Sequence, residues 1–178
     1  KGKDKLVRLG DIAEVRRGFT TGVNEFFYLT QEKIDEWGIE DEFLKPVIKN
    51  PRESNNADLN KFIEPHKVFM CNKKKSELTK NVLDYIEYGE SMGFHNKPTC
   101  SARNLWYNIG DRETTDAFWM ESINDMNRVY LNPGHLLESD KFYGIKFHNR
   151  ERKEEFSISL KSTIYALFRE LKGFHGMG

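Results

Sequence analysis

Apolar residues along this chain come in short clusters, each closed by a polar or charged run, and the spacing inside a cluster decides which element it predicts. Ile12 to Val15 and Phe26 to Leu29 read as strands flanking a basic turn broken by Gly18 and Gly22. Thr30 is placed to cap a short helix with Ile34 and Trp37 on one face, and Gly38 is its stop. The acidic turn Glu40 to Glu42 marks a further start before Pro46, and the polar residues 50–60 read as a surface loop. Val68 to Cys71 reads as a strand. Ser76 then caps a helix whose Leu78, Val82, Tyr85 and Ile86 form one apolar stripe, ending near Gly89 or Gly93. Ala117 to Met120, Arg128 to Leu131 and Phe142 to Phe147 read as strands, with a polar connection around Asn124 and Asp125. Leu160, Ile164, Leu167, Phe168 and Leu171 predict a core helix that Gly173 ends.

Composition narrows what such a chain can do. At 178 residues it holds one core of ordinary size, so a single domain over 1–178, with room for a small lobe, is expected. Lys plus Arg and Asp plus Glu both number 28, which argues against gripping a polyanion by bulk charge. Contact with nucleic acid must come from local patches. No apolar run approaches the roughly 20 residues that cross a bilayer, and no signal-peptide pattern opens the chain, so a cytoplasmic protein without a membrane partner is expected. Cys71 and Cys100 are too few for a disulfide framework. The missing initiator Met and the end at Gly176-Met-Gly178 read as a piece of a longer polypeptide.

Three stretches carry candidate chemistry. The turn after the first strand offers Arg16 and Arg17 for phosphate or a guanine edge, with Thr20, Thr21 and Asn24 as hydrogen-bonding neighbours. The run Lys73-Lys74-Lys75 sits between strand and helix, where a turn presents it to phosphates; its bland alternative is a solvated edge. The segment Gly93 to Tyr107 interleaves basic and aromatic residues, and Thr99, Ser101 and Arg103 are its candidate contacts, with Trp106 and Tyr107 read as core.

The opening Leu9-Gly-Asp-Ile-Ala-Glu-Val-Arg-Arg-Gly-Phe-Thr-Thr-Gly-Val-Asn-Glu-Phe-Phe-Tyr-Leu29 resembles the start of the target recognition domain that follows the catalytic part of N6-adenine DNA methyltransferases, of the TaqI-like specificity family. More distantly it resembles the specificity subunits of type I restriction systems. The resemblance continues through Phe43 to Lys49, Val68 to Asn72, Tyr85 to Glu90, Pro98 to Cys100 with Trp106-Tyr107, Phe142 to Ile145 and Leu160 to Gly173, covering nearly the whole chain. It implies an α+β fold, a curved and largely antiparallel sheet with peripheral helices. It also implies recognition of double-stranded DNA within a restriction-modification system. S-adenosylmethionine and the pocket for an extruded adenine would then lie in the parent methyltransferase domain, this chain's own partner.

Catalysis within the chain finds little support in its sequence. No Asp/Asn-Pro-Pro-aromatic tetrad and no Gly-x-Gly strand-to-helix turn is present, so neither methyl transfer nor cofactor binding is expected here. Cys71, Cys100, His66 and His95 are too irregularly spaced for a zinc finger or ribbon. Asp140, Glu151 and Lys153 match a metal-dependent nuclease pattern in spacing alone. A second alternative is a protein-interaction module that docks the methyltransferase to a partner, for which the neutral charge and an exposed-looking Ile34/Trp37 helix speak.

Overall fold

The computed structural model describes residues 7–50, 66–120 and 129–160. In chain order its principal elements are α1 (Leu9–Ile12), β1 (Ala13–Arg17), α2 (Asn24–Phe27), β2 (Tyr28–Leu29), α3 (Gln31–Trp37), β3 (Leu44–Ile48), β4 (His66–Phe69), α4 (Lys80–Ser91), α5 (Pro98–Ser101), β5 (Ala117–Met120), β6 (Val129–Leu131), β7 (Leu137–Glu138), β8 (Phe142–Phe147) and α6 (Lys153–Leu160). The α+β class is borne out, with antiparallel strand pairing. Two compact units divide the described chain: residues 7–18, 49–50, 114–120 and 129–160 form one, and 19–48 with 66–113 form the other.

The first unit is built on a sheet of order β1-β8-β5-β6. Alternation sends Ala13, Ala117, Trp119, Val129, Ile145 and Phe147 to one face, where Leu160 of α6 joins them. Register places Arg16 opposite Gly144, Gly144 opposite Phe118, and Phe118 opposite Tyr130 on the other face. Gly144 is required there. A Cβ on it would overlap the Glu138 carboxylate, which is 3% exposed and lies 3.9 Å from Arg16 Nε. Thr115, also buried, donates its hydroxyl to Glu138 Oε2 at 3.4 Å.

The second unit packs α4 and several aromatic rings around a small sheet in which β4 lies between β2 and β3. Phe26, fully buried, stacks on Tyr85 at 4.7 Å between centroids and meets Trp106 at the same separation. Burying such a ring contributes about 1.5 to 3 kcal/mol. Tyr85 donates its hydroxyl to Phe26 O at 2.6 Å, and burial pushes its phenol well above the usual value. Gly89 makes the approach possible: a Cβ there would stand 2.6 Å from Trp106 and 2.7 Å from Phe26. The motif Tyr85 to Glu90 is therefore a packing device.

Several local expectations are corrected. Phe26 and Phe27 lie in the helical turn α2, since the ring cluster around Phe26 outweighs its strand propensity. Arg16 and Arg17 belong to β1 and not to the turn. Thr79, not Ser76, precedes α4, and the fourth strand runs His66–Phe69. Pro98 to Ser101 form the helical turn α5 with Pro98 opening it. Thr30 and Gly38 do bound α3 as expected: Thr30 Oγ1 accepts from Lys33 N, and Gly38 takes φ 62°. Yet α3 is no exposed docking face, because Ile34 is 6% exposed and Trp37 packs on Tyr85 and Tyr88. Most of the polar loop 50–60, the connection at Asn124 and Asp125, and the apolar stripe beyond Leu160 lie outside the described residues.

Candidate functional site

Within the second unit the structure brings together two of the stretches singled out by sequence. Gly22, at φ 86°, faces Thr99, whose Cβ would stand 2.8 Å from a Cβ added to the glycine. No larger residue fits. Cys100 Sγ lies 3.9 Å from Thr21 O, and Arg103 donates from Nη2 to Thr20 O at 3.0 Å and from Nη1 to Trp106 O at 3.4 Å. The Arg103 guanidinium also lies 5.4 Å from the centre of the Phe27 ring. It is a strut between the Thr20 turn and α5. Burial lowers its pKa from the ordinary value, with Arg112 adding to the effect, and no carboxylate pairs with it among the described residues.

The other expected contacts divide by exposure. Thr20, Asn24, Thr99 and Ser101 are exposed. Thr21 is not: it is 2% exposed and donates its hydroxyl to Asn24 Oδ1 at 2.7 Å, so it shapes the turn from inside. In the first unit, Arg16 stands beside the buried Glu138 and Arg17 donates from Nε to Asp140 O at 3.3 Å. Of the pair, Arg17 is the exposed one.

The lysine run is not one patch. Lys73 Nζ meets Glu42 at 2.6 Å and Lys75 Nζ meets Glu90 at 2.7 Å, whereas Lys74 has no ion pair among the described residues. Its backbone N–H donates to Glu77, which fixes the turn. Glu90 also accepts from Trp106 Nε1 at 3.0 Å; burial alone would raise its carboxyl, but Lys75 and Trp106 together hold it below the ordinary value.

Beside Lys74 and Arg103 opens a cleft of about 640 Å³ that sequence reasoning missed. The carboxamides of Asn72, Asn104 and Asn108 line it, with Leu105 and Ile109 as its apolar wall. No acidic residue and no ring is among its lining residues. Lys74 and Arg103 are thus its charges, neither matched by a carboxylate among the described residues, and the cleft favours an anion by local potential although the chain is neutral. The walls are held to one another, for Tyr107, 2% exposed, donates its hydroxyl to Lys73 O at 3.0 Å.

Neither alternative from the sequence gains a site. Glu151 and Lys153 are exposed at the turn into α6, where Asn149 Oδ1 accepts from Glu151 N, and no group of three His, Cys, Asp or Glu side chains among the described residues is arranged to hold a metal. Cys71 and Cys100 are buried free thiols, and burial raises both above the usual thiol value. No described helix is long and apolar enough to cross a membrane.

A family model described as the C-terminal domain of Type II methyltransferase M.Eco57I matches residues 1–178. Type II methyltransferase M.AccI of Acinetobacter calcoaceticus is 27% identical over 161 residues, covering 87% of this chain and 29% of the length of that relative.

Proposed function

The chain belongs to the family of the C-terminal domain of Type II methyltransferase M.Eco57I, and from that membership we propose that it reads the target sequence in double-stranded DNA for a parent N6-adenine methyltransferase. The observation that carries this reading is the cleft of Asn72, Lys74, Arg103 and Asn104. It joins cations unmatched by carboxylates to carboxamides, the combination that attracts a phosphate backbone and tells base edges apart. The exposed Thr20, Asn24, Thr99 and Ser101 belong to the same unit, and Lys74 is its phosphate anchor. Arg103 acts by holding the surface in shape. In the first unit Arg17 is the proposed base or phosphate contact and Arg16 its support.

On this reading the domain is a recognition module of the TaqI-like kind in a cytoplasmic restriction-modification system. Methyl transfer from S-adenosylmethionine falls to the parent catalytic domain, and this chain supplies selection of the site. The test is a chimera: residues 1–178 are exchanged for the corresponding segment of a methyltransferase of different target, and modified bases are mapped by sequencing DNA exposed to the enzyme. The modified sequence should follow the exchanged segment. A target that stays with the catalytic part refutes the reading.

A further inference from the structure

The carboxamide cleft says more than that DNA is bound, and, resting on the reading above, we infer that it reads the edge of an A·T pair in the major groove through Asn104 and Asn72. A carboxamide presents a donor and an acceptor side by side, the complement of adenine N6 and N7, whereas guanine is matched by arginine or lysine and cytosine by a carboxylate. The cleft holds no carboxylate, and its arginine is already hydrogen-bonded to Thr20 O and Trp106 O. Lys74 is the phosphate anchor of the reading above, which leaves the carboxamides for the base edge.

The three asparagines are not equivalent. Asn108 Oδ1 accepts from Gly110 N at 2.7 Å, which occupies one lone pair of its oxygen and turns that amide toward its own backbone. Asn72 and Asn104 are exposed and have no hydrogen-bond partner among the described residues, so either amide has both ends available for the one bidentate contact that an adenine accepts, with the other left for the neighbouring thymine O4 or phosphate. Leu105, partly exposed and backed by the buried Ile109, supplies an apolar surface for the thymine methyl group of the same pair.

Two further observations fix the mode of contact. An extruded base is sandwiched between rings or apolar faces; no ring lines this cleft and its apolar residues form one wall only, which suits an edge within the stack. Rigid support comes from both sides: Arg103 beside Asn104 is clamped by its two carbonyl partners, and the Tyr107 hydroxyl ties the neighbouring wall to Lys73. These contacts brace the backbone around the cleft, while the exposed amides of Asn72 and Asn104 are oriented by the base edge they meet.

The experiment uses the full-length methyltransferase on a DNA library holding every single-base variant of its target, with Asn104→Ala, Asn72→Ala and Asn104→Asp compared with the unaltered enzyme. Loss of a bidentate contact should reduce discrimination at one A·T position by about 5- to 150-fold and leave the other positions as they were. Asn104→Asp, which keeps the shape but loses the donor, should shift preference at that position away from adenine. Melting curves of the variants, expected to match the parent, separate readout from folding. If Asn104→Ala and Asn72→Ala keep full discrimination, or slow methylation of all sequences alike, the inference is overturned. Should the chimera nevertheless carry its target with it, the recognition role stands and only this assignment of residues falls.

Discussion

Single alanine substitutions at Lys73, Lys74 and Lys75 should have three different outcomes, although the sequence offers them as one cationic run. Each phosphate contact on duplex DNA contributes about 0.9 to the slope of log affinity against log salt. Lys73 and Lys75 are paired at 2.6 and 2.7 Å with Glu42 and Glu90, and a neutralised lysine releases few counterions. Lys74 has no such partner and lines the cleft. Lys74→Ala should therefore flatten the slope by up to about 0.9, which over a fourfold rise in salt leaves the variant about 3.5-fold less salt-sensitive than the parent. Lys73→Ala should leave the slope nearly unchanged. Lys75→Ala should also leave it, while lowering stability by no more than about 1 kcal/mol, because its pair with Glu90 is partly exposed and screened. Fluorescence anisotropy of a labelled duplex titrated with full-length enzyme at several salt concentrations measures all three. Equal flattening by the three substitutions, or none by Lys74→Ala, refutes the assignment.

Other consequences follow from the packing. Gly144→Ala should destabilise the chain by about 1 to 3 kcal/mol, since the added Cβ displaces the buried Glu138 carboxylate from Arg16 and Thr115; chemical denaturation reads it, and an unchanged midpoint contradicts the placement of Glu138. Glu90 has a folded pKa below its unperturbed 4.5, so its contribution is complete above that value and is lost as pH falls through the folded pKa. Glu90→Gln should accordingly be less sensitive to acid than the parent below about pH 4.5, as denaturation midpoints across that range will tell. Arg103→Ala should cost about 1 to 2 kcal/mol by releasing Thr20 O and Trp106 O, and should speed proteolysis at the Thr20 turn; resistance equal to the parent would mean the strut is dispensable.

What the sequence disclosed was whatever depends on neighbours along the chain. The cap at Thr30 and the left-handed stop at Gly38 follow from backbone donors and φ alone, and β5 and β8 follow from apolar residues dense enough to serve both faces of a sheet. Phe26 and Phe27 misled because ring packing settled their conformation, and the rings come from residues as distant as Tyr85 and Trp106. The lysine run misled for the same reason. Glu42 and Glu90, which divide it, are separated from it by 31 and 15 positions.

The candidate site shows how far that dependence reaches. The candidate residues of both units were visible in the sequence, yet their roles were assigned by partners that spacing does not encode: Arg16 beside a buried carboxylate, Arg103 across two carbonyls, Thr21 against Asn24. The asparagines left no comparable trace, because a carboxamide carries no charge and Asn72 stands far along the chain from Asn104 and Asn108. The one available signal was that Asn72 and Asn104 each adjoin a residue already marked, the lysine run and Arg103. Lys73 and Lys75 advertise themselves and are then drawn into pairs, while the carboxamides of Asn72 and Asn104 reach the surface unclaimed. With basic and acidic residues balanced at 28 each, selection of a base, on the reading proposed above, would rest on residues that no charge pattern reveals.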